Sequence, residues 1–151
     1  FLKSLEQSYK KAPFYNDVFF LIEEILNKDT NFISTLAIDS IKGVCNYLDV
    51  KTQIIETSKE YNNKHLSGQD RVISICQFER ANHYINPIGG IELYSKEDFK
   101  NNDIILNFIK SKSIDYKQFD NEFVAWLSII DVLMFNSKSD VVRMLNQYDL
   151  L

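Results

Sequence analysis

The residues best suited to chemistry in this sequence lie in the run HYINPIGGIELY, at positions 83–94. A short segment of alternating polar and apolar residues ends there at Gly89 and Gly90, and backbone N–H groups beside glycines can approach a phosphate or a carboxylate closely. Tyr84 and Asn86 would stand next to this turn, where the asparagine amide can donate to or accept from a ligand. The alternative is a tight turn that needs a positive φ at one of the glycines. Spacing alone favours the tight turn, because the sequence has no complete G-x-G-x-x-G or P-loop motif.

Arginine and histidine side chains flank this stretch. Arg71 falls at the start of the helix predicted ahead of the strand, where its guanidinium could point at an anionic substrate. An exposed arginine in a first helical turn is the commoner arrangement. His83 could act as a base, although a single histidine at the start of a strand is more often structural or solvated. His65 lies in a polar loop and has no neighbour in the sequence to orient it.

Two other sets of polar residues offer alternatives. Asp131 lies in an otherwise apolar helical segment. If buried, it needs a partner such as Arg71 or a capping hydrogen bond; an exposed position on the polar stripe of the helix is equally compatible with the pattern. Lys10 and Lys11, next to tyrosines, could bind a phosphate, but a helix end ahead of Pro13 explains both lysines more simply.

The sequence contains no arrangement typical of a catalytic triad or a metal centre. Two histidines and two separated cysteines match no metal-ligand spacing, and the pattern identifies no cofactor. Cys45 and Cys76 both fall in apolar helical contexts, which predicts buried, reduced thiols.

Composition limits the class of protein. Hydrophobic residues are 45% and charged residues 25% of 151 residues, which predicts a single globular domain over residues 1–151. The net charge of −4, without a basic block, argues against nucleic acid as the main partner. The most apolar stretch, residues 123–135, is too short to span a bilayer. With no signal-peptide pattern, a cytoplasmic location is expected. The sequence does not indicate an oligomeric state.

The elements that must position these residues are predicted from hydrophobic periodicity and from turn and cap signals. In order they are a helix over 2–11, a helix over 13–27, a helix ending at Leu48, a strand over 52–57, a polar loop over 58–68, a helix over 69–81, a strand over 83–86, a short helix capped by Ser95, a strand over 104–109, a long helix beginning near Phe123, and a last helix capped by Ser137 that includes Tyr148.

Strands that alternate with helices predict parallel pairing through right-handed crossovers. The predicted fold is therefore α/β and helix-rich, with three N-terminal helices, a small mainly parallel sheet with crossover helices, and two C-terminal helices. The nearly continuous apolar run at 104–109 predicts the central strand of the sheet. Three strands make a thin sheet, and the sequence starts at Phe1 rather than at a methionine. We therefore expect a further N-terminal region to add strands and part of the site.

Several short segments, spread in order over nearly the whole chain, form one pattern together. They are SYKKAP at 8–13, Arg71 with Ile75 and Cys76, YINPIGG at 84–90 with Tyr94 and Phe99, Tyr116 with Gln118, and Phe123 with LSIIDVLM at 127–134. This ordered set resembles the WbqC-like family. The sequence departs from the family pattern at Asp49, where glycine is usual, and at Ala125, where proline is usual. Family members usually carry a further N-terminal region with Gly-Tyr-Phe and Asp-Asp-Val-Gln-Phe segments, which this sequence does not match.

The resemblance implies a role in bacterial surface-polysaccharide (O-antigen) biosynthesis, where transfer of glycine or another aminoacyl or acyl group to a sugar has been suggested. The partner implied is a nucleotide-activated or lipid-linked sugar. The resemblance supplies no catalytic residues, so the substrate-binding candidates Arg71, Tyr84, Asn86, Gly89 and Gly90 rest on turn chemistry and motif position. The alternative is a non-catalytic binding or scaffold module of the same pathway, because no nucleophile–base pair is recognisable.

Overall fold

The computed structural model of the protein describes residues 1–120 and 122–151, which form seven α-helices and three β-strands. In chain order these are α1 (Leu2–Tyr9), α2 (Tyr15–Leu26), α3 (Ile33–Tyr47), α4 (Gly68–Phe78), β1 (His83–Pro87), α5 (Lys96–Lys100), β2 (Ile105–Ser111), α6 (Ile129–Phe135), α7 (Lys138–Met144) and β3 (Tyr148–Leu150). The predicted α/β, helix-rich class is confirmed. None of the helices in the described part of the chain has the length and apolar character that a membrane span requires.

The chain divides into two units. Unit 1 comprises residues 1–54 and 113–147, and unit 2 comprises residues 55–112 and 148–151. Each unit has its own hydrophobic core, and the two cores have no residue in common.

Unit 1 is a group of helices whose apolar faces meet. Val18 and Ile22, one turn apart on α2, are buried together with Leu133 and Met134 of α6 and Val141 of α7. This spacing of three and four residues is the pattern that predicted the helices. The α3 helix forms as predicted, but none of its residues is buried, and its apolar side lines an open groove of about 550 Å³.

The prediction of a long helix that begins near Phe123 is wrong. The helix α6 begins only at Ile129, where the Ser128 hydroxyl accepts a hydrogen bond from the Ile130 N–H at 3.2 Å. Trp126 has a φ of 61° and is 74% exposed, so it shares no helical face with its neighbours. Residues 122–128 are irregular because side-chain hydrogen bonds, described below, replace the backbone bonds that a helix would form.

Unit 2 contains a sheet with the strand order β1-β2-β3. Strands β1 and β2 pair in parallel, with His83 opposite Ile105, and β2 pairs antiparallel with β3, with Ile109 opposite Leu150. The prediction of a central strand near 104–109 is confirmed. Helices α4 and α5 contribute Ile73, Cys76 and Phe99 to a core that also contains Leu106 and Phe108 of β2.

The prediction of a strand over residues 52–57 is wrong. These residues are irregular and lead into a 3-10 turn at Ser58–Tyr61. A β-branched run forms a strand only where a neighbouring strand can accept its backbone hydrogen bonds. The third strand is instead β3, whose residue Tyr148 was predicted to belong to the last helix. Next to β3, Phe108 and Leu151 exchange two backbone hydrogen bonds of 2.9 Å.

Candidate functional site

The carboxyl end of β1 and the first turn of α4 lie at the same end of unit 2. Gln69, in the first turn of α4, donates to the Asp98 carboxylate at 2.5 Å and accepts from the Ser95 N–H at 2.9 Å. Ser95 caps α5 by accepting from the Asp98 N–H at 3.3 Å, as its sequence signal predicted. Because α5 is the next helix after β1, beyond the turn at Ile88–Gly90, these contacts place the N-terminus of α4 at the carboxyl edge of the strand.

An aromatic–amide group, which consists of Tyr84, Asn86, Gly90, Tyr94 and Phe99, occupies this edge. The Asn86 Nδ2 donates to the Tyr84 hydroxyl at 2.7 Å. The Tyr84 ring stacks on Phe99 with 5.5 Å between centroids, and Tyr94 lies edge-on to both rings at 6.0 Å. Three of the predicted site residues, Tyr84, Asn86 and Gly90, are therefore in contact.

A glycine is needed at position 90 because there is no space for a side chain, not because of its backbone angles. A β-carbon at Gly90 would lie 2.2 Å from the Asn86 Oδ1 and 3.3 Å from a Tyr94 ring carbon, whereas one at Gly89 would meet nothing within 4 Å. The turn itself is confirmed as a 3-10 turn at Ile88–Gly90. The alternative prediction, a positive φ at Gly89 or Gly90, is wrong. Among the described residues, the glycine with a positive φ is Gly68. Close approach alone therefore requires a glycine at position 90.

The electrostatics of the aromatic–amide group favour binding over proton transfer. Burial raises the pKa of Tyr84, and the hydrogen bond from Asn86 offsets this only in part. The phenol therefore stays protonated near neutral pH. Aromatic faces beside an amide and a hydroxyl can bind a sugar or another polar ring through stacking and hydrogen bonds.

Arg71 belongs to a second group, formed with Ser58, Asn63 and Ser74. Its Nε donates to the Asn63 Oδ1 at 3.2 Å, and its Nη2 donates to the Ser58 hydroxyl at 3.0 Å. Asn63 is only 3% exposed, and its Nδ2 donates to the Ser74 hydroxyl at 3.2 Å and to the Arg71 carbonyl at 3.4 Å. Among residues 1–120 and 122–151, no carboxylate forms a salt bridge with Arg71.

The predicted site residues thus fall into two groups at one end of unit 2. Gln69 and Arg71 are two residues apart on α4, which turns their side chains about 200° apart around the helix axis. Gln69 faces Ser95, and Arg71 faces the loop that contains Asn63. No hydrogen bond in the described residues joins Arg71 to the aromatic–amide group.

The other cations and bases lie outside these groups. His83 is on the opposite face of the sheet from Tyr84, where its Nε2 lies 2.5 Å from the Asn107 Oδ1. His65, Lys10 and Lys11 are exposed. In the described part of the chain, His65, Lys10 and Lys11 form no side-chain hydrogen bond or salt bridge.

Unit 1 contains a buried carboxylate of its own. Asp131 is 3% exposed, and its two oxygens accept hydrogen bonds from the Tyr9 hydroxyl at 2.9 Å, the Tyr116 hydroxyl at 2.6 Å and the Gln118 Nε2 at 2.8 Å. Of the two positions considered for Asp131, the buried one is correct; its partners are neutral donors rather than an arginine. Burial first, and then the bond to Asp131, raise the pKa of Tyr9 and of Tyr116 to about 12. Both phenols are therefore donors, not bases, near neutral pH.

Neither cysteine forms a disulfide, and no group of three or more His, Cys, Asp or Glu residues in the described part of the chain could hold a metal ion. Cys76 is buried in unit 2, and burial raises the pKa of its thiol. A raised thiol pKa leaves little of the reactive thiolate. Both cysteines were predicted to be buried and unpaired. Both are free thiols, but Cys45 is only partly buried, so its predicted burial is wrong.

Sequence reasoning missed the residues that hold the candidates in place. Ser58 and Asn63 stand in the polar loop, where no periodicity marks one side chain as buried. Tyr94, Tyr116 and Gln118 belong to the segments quoted for the family resemblance, so that resemblance was the signal that could have found them. Tyr116 and Gln118 bond to Asp131 from 15 and 13 positions away. Tyr94 contacts Tyr84, ten positions before it, and Phe99, five positions after it.

Comparison with known proteins agrees with the ordered segments. The model of the WbqC-like protein family matches residues 1–143, which include both groups of unit 2 and the Asp131 cluster. No curated protein and no solved structure matches the chain. Because the family match covers nearly all of the sequence, the chain belongs to the WbqC-like protein family.

Proposed function

We propose that this protein is a cytoplasmic group transferase of bacterial surface-polysaccharide (O-antigen) biosynthesis, which attaches an aminoacyl or acyl group, such as glycine, to a sugar. Membership of the WbqC-like family suggests a role in polysaccharide-related biosynthesis. A nucleotide-activated or lipid-linked sugar carries phosphate, so the substrate is anionic. The site must therefore supply positive charge as well as groups that orient a sugar.

One observation carries the proposal: Arg71 is a half-buried cation whose side-chain partners among the described residues are neutral and include no carboxylate. Charged side chains that leave bulk water are usually paired, because an unpaired charge is costly to desolvate. A phosphate of the substrate would complete this pairing. At the same end of unit 2, Tyr84 and Asn86 would orient the sugar, and the open backbone at Gly89 leaves room for the substrate to approach.

Thermal-shift screening of nucleotide sugars against the full-length protein tests substrate binding. A ligand at one hundred times its Kd stabilises a protein by about 2.7 kcal/mol, which raises Tm by several degrees. We expect Arg71→Gln to abolish this shift. Arg80→Gln is the matched control, because Arg80 is an exposed arginine just beyond the other end of α4. The proposal fails if well-folded full-length protein is stabilised by no nucleotide sugar, or if both substitutions act alike.

The reaction class is tested by the polysaccharide of a cell that lacks the gene. Mass spectrometry of that polysaccharide is expected to show the loss of one aminoacyl or acyl substituent. An intact sugar backbone with a missing substituent supports group transfer. A missing sugar, or an unchanged polysaccharide, contradicts it.

The second candidate is a non-catalytic binding or scaffold module in the same pathway. Several large apolar side chains are exposed, among them Ile33 at 86% and Trp126 at 74%, and such surfaces often contact partner proteins. A pull-down that recovers a biosynthetic enzyme, with unchanged polysaccharide after Arg71→Ala and Asn86→Ala, would favour this candidate over the transferase.

A further inference from the structure

We propose that Asn63 and Ser58 are positioning residues, which hold the Arg71 guanidinium so that its terminal edge binds two oxygens of one oxyanion. This inference rests on the proposed function, since it specifies how the anionic substrate is bound there. It names two residues in a polar loop as determinants of ligand geometry.

The free donors of Arg71 can be counted. A guanidinium has five N–H donors, and the bonds to Asn63 and Ser58 use one on Nε and one on Nη2. Both donors of Nη1 and one of Nη2 have no partner among the described residues. One donor from each of these two nitrogens forms the terminal edge of the group, whose spacing matches two oxygens of a phosphate or a carboxylate. When Ser58 accepts the Nη2 proton on the Nε side of the group, the pair that a bidentate ligand needs stays free.

Asn63 is suited to fix this geometry because it is itself immobilised. It is 3% exposed, and both ends of its amide are bonded, the oxygen to Arg71 and the nitrogen to Ser74 and to the Arg71 carbonyl. Its bonds run back to the residue that it orients. A side chain held in this way lowers the conformational entropy that the arginine loses when a ligand binds.

The partners of Arg71 are also neutral, and this matters for a ligand of negative charge. An aspartate at position 63 would accept the same Nε–H but would cancel much of the charge that attracts an anion. An amide and a hydroxyl orient the guanidinium and leave its charge for the ligand. The shared chemistry of the ligand is an oxyanion with two accepting oxygens, provided by phosphate or carboxylate.

The test measures binding of two probes by calorimetry with the full-length protein, UDP-glucose for phosphate and glucuronate for carboxylate. We expect at least one probe to bind, and Arg71→Lys to weaken it about tenfold or more, because lysine lacks the planar fork. Asn63→Asp is expected to weaken it by a similar factor and to reduce its salt dependence. Ser58→Ala removes one hydrogen bond at an exposed side chain and is expected to weaken binding a few-fold.

Gln77→Ala is the matched control, since Gln77 is on α4 but, among the described residues, its side chain bonds to Asn102 and not to the Arg71 group. Its probe affinity should equal that of the wild type. If Asn63→Asp and Ser58→Ala both bind the probe like the wild type while Arg71→Lys does not, the positioning role is overturned and the anion site stands. If the wild type binds neither probe, the proposed function is contradicted, and the positioning role that rests on it is contradicted as well. Ser58→Ala keeps the test decisive should Asn63→Asp fail to fold.

Discussion

At the scale of single residues, unit 1 shows how neutral donors can stabilise a buried carboxylate that has no counter-ion among the described residues. The Asp131 carboxylate has about four acceptor positions, and two phenols and one amide occupy three of them. Hydrogen bonds from neutral donors to a charged group are stronger than those between neutral groups. These bonds offset the cost of burying the carboxylate. The same bonds also stabilise the protonated phenols and so help to raise the pKa of each tyrosine.

Alkaline pH should therefore weaken unit 1. The pKa of Tyr9 and of Tyr116 is raised from 10.0 to about 12 in the folded protein, so the protonated phenol favours folding. Stability from this source is fully present below pH 10 and is lost as pH rises towards the folded value. Denaturant titrations across this range should show a decline in the free energy of unfolding. Tyr116→Phe is expected to make the decline shallower, and Tyr148→Phe, at an exposed tyrosine of unit 2, to leave it unchanged; equal slopes would refute the assignment.

The two glycines of the site give an internally controlled prediction. A methyl group at Gly90 collides with the Asn86 amide, which Tyr84 holds by a 2.7 Å bond, while Gly89 faces open space. We expect Gly90→Ala to lower the free energy of unfolding by about 1–3 kcal/mol, as overpacking does. Gly89→Ala should be neutral or slightly stabilising, because its φ is not positive. Thermal denaturation of both variants checks this, and similar losses in both would contradict the close-approach account.

At the scale of elements, local signals were enough where the element depends on local contacts. The period of α2, the Ser95 cap of α5 and the apolar run of β2 each predicted their element. The errors come from distant partners. Residues 52–57 have strand-like composition, but β3 takes the antiparallel position beside β2. In the site, the Gly-Gly turn was readable, whereas the contact between Arg71 and Asn63 depends on a loop that returns to α4.

The start of α6 illustrates the same competition and can be tested. The Gln118 side chain accepts from the Val124 N–H at 2.8 Å, donates to the Val124 carbonyl at 3.0 Å and also donates to Asp131. Gln118→Ala should remove about 1–3 kcal/mol from the free energy of unfolding, because the buried carboxylate loses a donor. Amide exchange at Val124 should become faster. Gln7→Ala, at an exposed glutamine of α1, is the control; unchanged exchange at Val124 in Gln118→Ala would show that another contact holds the segment.

At the scale of the whole molecule, the chain builds two cores from interleaved stretches of sequence. In the sequence, unit 1 is formed by residues before and after the main segment of unit 2, and the last strand of unit 2 comes from residues 148–151. The candidate groups follow this division: the Arg71 and aromatic–amide groups belong to unit 2, and the Asp131 cluster belongs to unit 1. Substitutions in the Arg71 group should therefore affect ligand binding at the proposed site, whereas substitutions in the Asp131 cluster should affect helix packing in unit 1.

Separate cores predict separate responses to core substitutions. Phe99 and Met134 are both fully buried, the first in unit 2 and the second in unit 1. Removing either side chain to alanine should cost about 2–5 kcal/mol through lost burial and a residual cavity. If each core is the centre of its own cooperative unit, Phe99→Ala should speed amide exchange mainly in α4, β1 and β2, and Met134→Ala mainly in α2 and α7. Native-state hydrogen exchange distinguishes this from the expectation of one domain over residues 1–151, under which both substitutions would raise exchange uniformly along the chain.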